Sequence, residues 1–306
     1  MRANVLSRDH RHAVVIGLGL ALVAYFAFAL NDALGKYLVV SFGVAQLVLI
    51  RSIGGLAALV PLLVAQNENP LRQIDRPKLQ ILRALLATVD TGLFYAACVF
   101  LPLADVMTFY MAGPIYTTVA SHFLLGEHVA WRRWTAILVG FSGVLIALQP
   151  SSDSFSLGAL FAVAGSVSYS LALVINKKLE NTGDASLVTY QTTVGLIGGG
   201  LFSLFDWRPL TLEGVLAMLL LGIIGTGGHL MLTRSVKLAP VSVLAPIQYT
   251  LLLWGIILGA AVFGDVPSAT TLIGSSIIVL AGIFIFHRKS MLGQANVRSD
   301  VPTDLP

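Results

Sequence analysis

Few side chains in this sequence can do chemistry, and most of them interrupt apolar runs. Phe28 to Leu38 reads FALNDALGKYL, an apolar run broken by Asn31, Asp32 and Lys36. Arg51 and Arg83 stand in later runs, Asp90 in the middle of another, and His122 and His229 in two more. An ionisable group in such surroundings is costly, so it faces a cavity or a partner. The chemistries open to these residues are ion pairing, proton carriage and hydrogen-bonded recognition of a polar solute. The sequence offers no nucleophile–base arrangement, no His/Cys/Asp cluster with metal spacing and no G-x-x-x-x-G-K-[ST] phosphate loop. It therefore assigns no catalytic residue, no metal and no cofactor, and nucleotide hydrolysis is not expected.

The elements that must position these residues are membrane helices. The chain has 306 residues, 56% of them hydrophobic and only 11% charged, where a soluble domain carries roughly 25% charged residues. Apolar runs of about 20 residues recur throughout, long enough to span a hydrocarbon core. Ten spans are read at about 13–35, 44–65, 79–100, 103–125, 132–149, 155–176, 186–205, 212–233, 241–263 and 269–287. The expected class is an all-α polytopic membrane protein, multi-pass in the cell inner membrane. The first run follows Arg8 and Arg11, exceeds a signal-peptide core in length and lacks a clear cleavage site, so it is read as a retained span. A single cysteine, Cys98, excludes an intramolecular disulfide. Although the pI is near 9.3, nucleic acid is not implied, because the basic residues lie between spans. With both termini cytoplasmic, the inner side receives fifteen Lys and Arg, from Arg2 to Arg298, and the outer side only Lys36 and Arg208. That asymmetry sets the orientation.

The two halves repeat. A shift of 141 residues places Gly17 on Gly158, Ala21 on Ala162, Phe28 on Tyr169, Lys36 on Lys177 and Gly54 on Gly195. A shift of 138 places Pro102 on Pro240, Gly126 on Gly264 and Glu127 on Asp265. Two five-helix units, 13–150 and 155–287, with a cytoplasmic tail at 288–306, are therefore expected. An odd span count inverts the second unit, and the charges follow, Lys36 outside and Lys177 inside. Inverted repeats place a transporter's solute site near the midplane between the halves.

Leu101 to Pro150 ends in a P…LLGE…G…G pattern, and Leu238 to Pro267 carries P..YT.L.W…G…FG[DE].P. With the repeat, these stretches make the chain similar to the drug/metabolite transporter superfamily, in its EamA-domain branch, over about residues 13–287. Asp265 stands where Glu is commoner, and Leu252 aligns with Pro114. NDALGKYL followed by Gln46 and Arg51 is similar to a subgroup containing riboflavin and S-adenosylmethionine uptake proteins. The resemblance implies a secondary transporter, not an enzyme, with helices one to four and six to nine around a cavity. It also places the fifth and tenth helices away from that cavity. Their Gly140, Gly143, Gly274 and Gly282 make them candidates for a homodimer contact.

Depth assigns roles to the polar residues. Asp32 lies in the outer third of the first span, and Arg51 about seven residues, roughly 10 Å, below the outer surface in the second. An Asp32–Arg51 ion pair on the cavity wall, with Asn31 as hydrogen-bond partner, fits that match. A pair that only fixes the packing of two helices fits it too. Asp90 has no basic residue at its depth. Its neighbours by depth are Thr88, Thr91, Tyr110 and, one to two turns inward, Arg83. It is a candidate proton carrier or a partner for a cationic group, or else a protonated side chain bonded to its surroundings. His229 is a second coupling candidate, and His122 lies at similar depth. Tyr110, Tyr169, Gln191, Gln248, Tyr249 and Trp254 are aromatic and amide candidates for a planar organic solute. Gln248 and Tyr249 follow the helix-disturbing Pro246, as Pro114 follows Gly113 in the fourth span. The expected cargo is a small organic metabolite, by resemblance a ring-bearing nutrient taken up, coupled to protons or not. Export of amino acids or cationic drugs is the rival within the class, and a membrane-embedded enzyme or scaffold the rival outside it.

Overall fold

In the computed structural model the described residues are 2–65, 76–126, 131–148, 156–239, 244–264, 268–270, 272–277 and 280. The elements over these residues are helical: α1 Arg2–Val39, α2 Val44–Ala65, α3 Pro77–Phe100, α4 Leu103–Tyr110, α5 Gly113–Leu125, α6 Trp131–Leu148, α7 Leu157–Lys178, α8 Asp184–Ser203, α9 Leu212–Leu238 and α10 Thr250–Leu258. A 3₁₀ turn, Ala245–Tyr249, precedes α10, and a π-helical turn, Gly259–Phe263, follows it. Five of these helices, α1, α2, α3, α7 and α9, are long and apolar enough to cross a membrane. The outer surface carries large apolar side chains, such as Val64 on α2, Phe123 on α5 and Phe205 in the turn after α8, each more than 70% exposed. Such a surface suits lipid and would be a liability in water. The chain is a multi-pass membrane protein.

The helix ends follow local chemistry. Ser156 caps α7 by accepting from the Ala159 N–H, and Thr211 caps α9 by accepting from the Gly214 N–H. Pro77 opens α3, where its missing N–H has no intrahelical partner to lose. Gly126 ends α5 at φ 68°, and Gly264 ends the π-helical turn at φ 69°. A side chain is disfavoured at such angles. These are the two glycines that the 138-residue shift superposes.

Two expected spans are interrupted. The fourth breaks at Met111 and Ala112 between α4 and α5. Pro114 has no N–H to offer the carbonyl four residues back, on Tyr110. Gln248 supplies the missing donor, its Nε2 lying 3.3 Å from the Tyr110 oxygen. The ninth begins as the 3₁₀ turn around Pro246. The first helix instead outruns its expected 13–35, continuing from Arg2 to Val39.

Packing runs mainly between the halves. α1 lies on α9, α3 on α7 and α8, and α2 on α8 and α9, while α5 rests on α7 and α10 on α1. The α2–α9 crossing is tight enough to require glycine. A Cβ on Gly222 would collide with the Arg51 carbonyl, and one on Gly54 with the Leu219 carbonyl. The core between the sheets of helices holds Tyr25, Leu47, Tyr95, Leu103, Met107 and Met111, all nearly fully buried. Gly140, Gly143 and Gly274 are buried inside the protomer, whereas Leu138, Phe141 and Leu145 face outward on α6. Gly282, Glu127 and Asp265 lie outside the described residues, as do the tail and most of the expected tenth span.

Candidate functional site

A cavity of about 540 Å³, open solvent included, lies among α1, α3, α4, α7, α9 and the start of α10. α1 brings Tyr25, Phe28, Asn31 and Asp32, at spacings of three, three and one, which share a helical face. α3 brings Asp90, Thr91, Phe94 and Tyr95, two i,i+4 pairs side by side. Arg51 enters from α2, Tyr110 from α4, Tyr169 from α7 and His229 from α9, with Gln248 and Leu251 closing the wall.

Hydrogen bonds fix most of this wall. The Tyr110 hydroxyl donates to Asp90 Oδ1 at 2.7 Å, and the Tyr25 and Tyr169 hydroxyls meet at 3.2 Å. Asn31 is held at both ends, its Nδ2 donating to the Leu221 carbonyl at 2.6 Å and its Oδ1 accepting from Tyr95 at 2.9 Å. Phe94 stands edge-on to both Tyr95 and Tyr110. The rings thereby form a stiff aromatic box with polar groups at fixed points.

Asp32, Asp90 and Arg51 lie within electrostatic reach of one another in this box. The expected Asp32–Arg51 ion pair is not made. Among the described residues, the pairs within 4.0 Å are Lys177–Glu180, Arg208–Asp206, Arg234–Asp184 and Lys237–Asp184. The depth match holds, since both residues line one cavity, but the guanidinium lies 5.7 Å over the Tyr95 ring, beside Gly225. Asn31 is not the expected partner of that pair, because Tyr95 and Leu221 occupy its amide.

A second space of about 380 Å³, open solvent included, adjoins the first and shares Arg51, Thr91 and His229 with it. Gln191 lines this space. Its Oε1 accepts from Arg83 Nη2 at 3.0 Å, which fixes the amide, so its NH₂ donates to His229 Nε2 at 3.1 Å. His229 is therefore unprotonated at Nε2, and its ring rests 4.8 Å from Phe28.

Of the residues expected from sequence, Asn31, Asp32, Arg51, Asp90, Tyr110, Tyr169, Gln248 and His229 face the first cavity and Gln191 the second. Tyr249 and Trp254 face neither. Tyr249 is buried in the core, one step around the 3₁₀ turn from Gln248. Trp254 packs edge-on to Phe26 at 4.8 Å. His122 is exposed on α5 against Phe123. Phe94 and Leu251 are lining residues that sequence reasoning passes over. The i,i+4 pairing of Phe94 with Asp90 is the signal that points to the first of them. Arg83, expected only as a neighbour of Asp90, has a different setting. It is 2% exposed and donates to Asn176 Oδ1, the Leu187 carbonyl and Gln191, tying α3 to α7 and α8. Nearby, Lys237 holds Asp184 at 2.6 Å and the Thr182 carbonyl.

Known proteins place this arrangement. The pattern of the EamA-like transporter family matches residues 15–149 and again 156–287. An S-adenosylmethionine uptake transporter of Rickettsia bellii is 26% identical over 273 residues, 89% of this chain and 94% of that protein. A riboflavin transporter of Vibrio cholerae is 25% identical over 280 residues, 90% of this chain and 94% of that protein. A solved crystal structure superposes with a TM-score of 0.65 over 89% of this chain and 95% of its own, at 20% identity, a likeness of fold alone. Helices that wall an aromatic cavity thus meet two tandem copies of one family pattern. This chain belongs to the EamA-like transporter family and is a transporter, not an enzyme.

Proposed function

We propose that the protein is a secondary transporter of the inner membrane that takes up a small ring-bearing nutrient by alternating access. The observation that carries this reading is the first cavity. Tyr25, Tyr95, Tyr110 and Tyr169 with Phe28 and Phe94 supply flat apolar faces, and Asp32, Asp90, Arg51 and Gln248 supply fixed polar points. Small-molecule sites have this mixture. The relatives' names, S-adenosylmethionine and riboflavin, are both ring-bearing solutes. Asn31, Asp32, Arg51, Asp90, Tyr110, Tyr169, Gln191 and Gln248 are the residues we assign to holding the solute.

The alternating-access reading takes the two halves as an inverted repeat. Under the 141-residue shift α1 corresponds to α7 and α3 to α9, so the α1–α9 contact maps onto α7–α3, and these are two of the most extensive contacts in the fold. The matched glycines at φ 68° and 69° support it as well. Both termini would then be cytoplasmic. Asp90, held by Tyr110, is the proposed proton carrier, with His229 beside it.

A cationic cargo is favoured by one specific feature, two carboxylates facing a single guanidinium in the first cavity. The test is uptake of labelled S-adenosylmethionine and riboflavin into proteoliposomes, with and without an inward proton gradient. Accumulation or counterflow of at least one is expected. No exchange of either would sink the reading, and movement of amino acids alone would replace it with the export class.

A further inference from the structure

The second space has its own chemistry, different from the aromatic box. Its walls carry Ser52, Thr88, Thr91, Thr192 and Thr226, against a single aliphatic side chain larger than alanine, Val48. Four of the five hydroxyl protons are already spent. Ser52 donates to the Val48 carbonyl at 2.7 Å, Thr91 to Ala87 at 3.0 Å, Thr192 to Val188 at 2.8 Å and Thr88 to the Gln191 carbonyl at 3.5 Å. A hydroxyl oxygen that has donated its proton keeps acceptor capacity. Away from Arg51, the guanidinium shared with the first cavity, the space therefore presents mainly acceptors, and a group that lies there must bring donors. Gly195 and Gly222 keep it open. A Cβ on Gly195 would come within 2.9 Å of Ser52 Oγ.

We infer that this space is a second subsite, which takes a short chain rich in hydrogen-bond donors attached to the ring that the aromatic cavity holds. The inference rests on the ring-solute reading above and deepens it. Arg51, Thr91 and His229 line both spaces and so stand at the junction between ring and chain. The flat end of the solute would lie among the tyrosines, and its chain would reach between α2, α3, α8 and α9. Hydroxyl groups and an ammonium group share the chemistry that the acceptors recognise. An apolar chain would leave those acceptors unsatisfied, and a chain of acceptors alone would oppose them.

The experiment compares each solute with its ring-only counterpart by binding to the purified protein. Riboflavin is set against lumiflavin, which has the same ring and a methyl in place of the polyhydroxyl chain. S-adenosylmethionine is set against methylthioadenosine, which lacks the amino-acid end. In at least one pair the chain-bearing solute should bind tenfold tighter or more. A gain in the flavin pair assigns hydroxyl donors, and a gain in the adenosine pair, where the sulfonium charge is lost too, assigns the ammonium when the threonine variant below removes it. Thr88→Val with Thr192→Val should bring that ratio below about threefold while ring-only binding stays within twofold. Thr192→Ser should retain the wild-type ratio. Ring-only binding by the double variant also reports that it is folded. Equal affinity within both pairs, or an equal loss for both members in the variant, would overturn the subsite and leave the ring reading standing. Failure of all four to bind would remove the ring reading itself, and this subsite with it.

Discussion

Arg51 and Arg83 are both guanidinium groups inside membrane helices, and the structure treats them in opposite ways. Arg83 is almost fully buried and spends Nε, Nη1 and Nη2 on Asn176, Leu187 and Gln191. Among the described residues Arg51 donates no hydrogen bond and meets no carboxylate within 4.0 Å. It lies over Tyr95 on the wall of two cavities. A charge whose donors are all used holds helices together. A charge left half-buried beside empty space has capacity to give to a ligand. By that contrast we assign Arg83 to the scaffold and propose Arg51 for the site, though composition and hydropathy make them look alike.

The largest expected effect tests the scaffold side. Arg83→Leu leaves an amide oxygen, a carbonyl and Asn176 unpartnered, and charged hydrogen bonds are worth roughly 1.5–3 kcal/mol each. Folded yield in detergent and the melting temperature should both fall severely. Wild-type stability would dissolve the contrast. Arg51→Met should do the reverse, lowering uptake at least tenfold while changing unfolding free energy by less than about 1 kcal/mol, as expected for a charge without a paired partner. If stability fell with uptake, Arg51 would belong with Arg83.

Asp90→Asn sharpens the comparison from the carboxylate side. Asparagine can still accept from Tyr110, but it cannot take up a proton. Substrate exchange should persist while accumulation driven by a proton gradient is lost, and the rise in uptake on external acidification should flatten. A variant with the full pH response would exclude Asp90 from coupling. Tyr110→Phe removes the hydroxyl that donates to Asp90 at 2.7 Å. It should cost about 1 kcal/mol in stability, the typical worth of one hydrogen bond, and shift the pH response without abolishing it. The smallest effect is conformational. Gly126→Ala and Gly264→Ala each force a side chain into the left-handed region, at roughly 1 kcal/mol apiece. Nearly equal losses in thermal stability are expected, since the two φ angles differ by one degree.

Much of the fold was legible because the membrane imposes a simple code. Apolar runs of about 20 residues, with charge between them, announce membrane helices. Pro114 and Pro246 announced the interruptions, since proline withdraws a donor wherever it stands in a helix. The site was legible through energetic cost. Asp32, Arg51 and Asp90 are too expensive in apolar runs to be idle, and all three face one cavity. Rotation around each helix was harder to read. Tyr249 neighbours Gln248 in sequence yet points into the core, and Trp254 packs on Phe26 outside both cavities. The Asp32–Arg51 pair fails for a related reason. Depth gives height along the helix, but the direction of a long side chain depends on what else surrounds it, here the Tyr95 ring and the space beside Gly225.

The sequence by itself determined a many-helix membrane protein, its repeat and the identity of its costly buried groups, because each follows from local composition and from spacing along the chain. Only the tertiary structure decided which of those groups are satisfied. It set Asn31 between Tyr95 and Leu221, gave Arg83 three acceptors from two other helices, and left Arg51 and Asp32 facing open space. Hydrogen bonds between residues some 60 to 190 positions apart carry those decisions. Such partners are chosen by how helices pack, which no local pattern encodes.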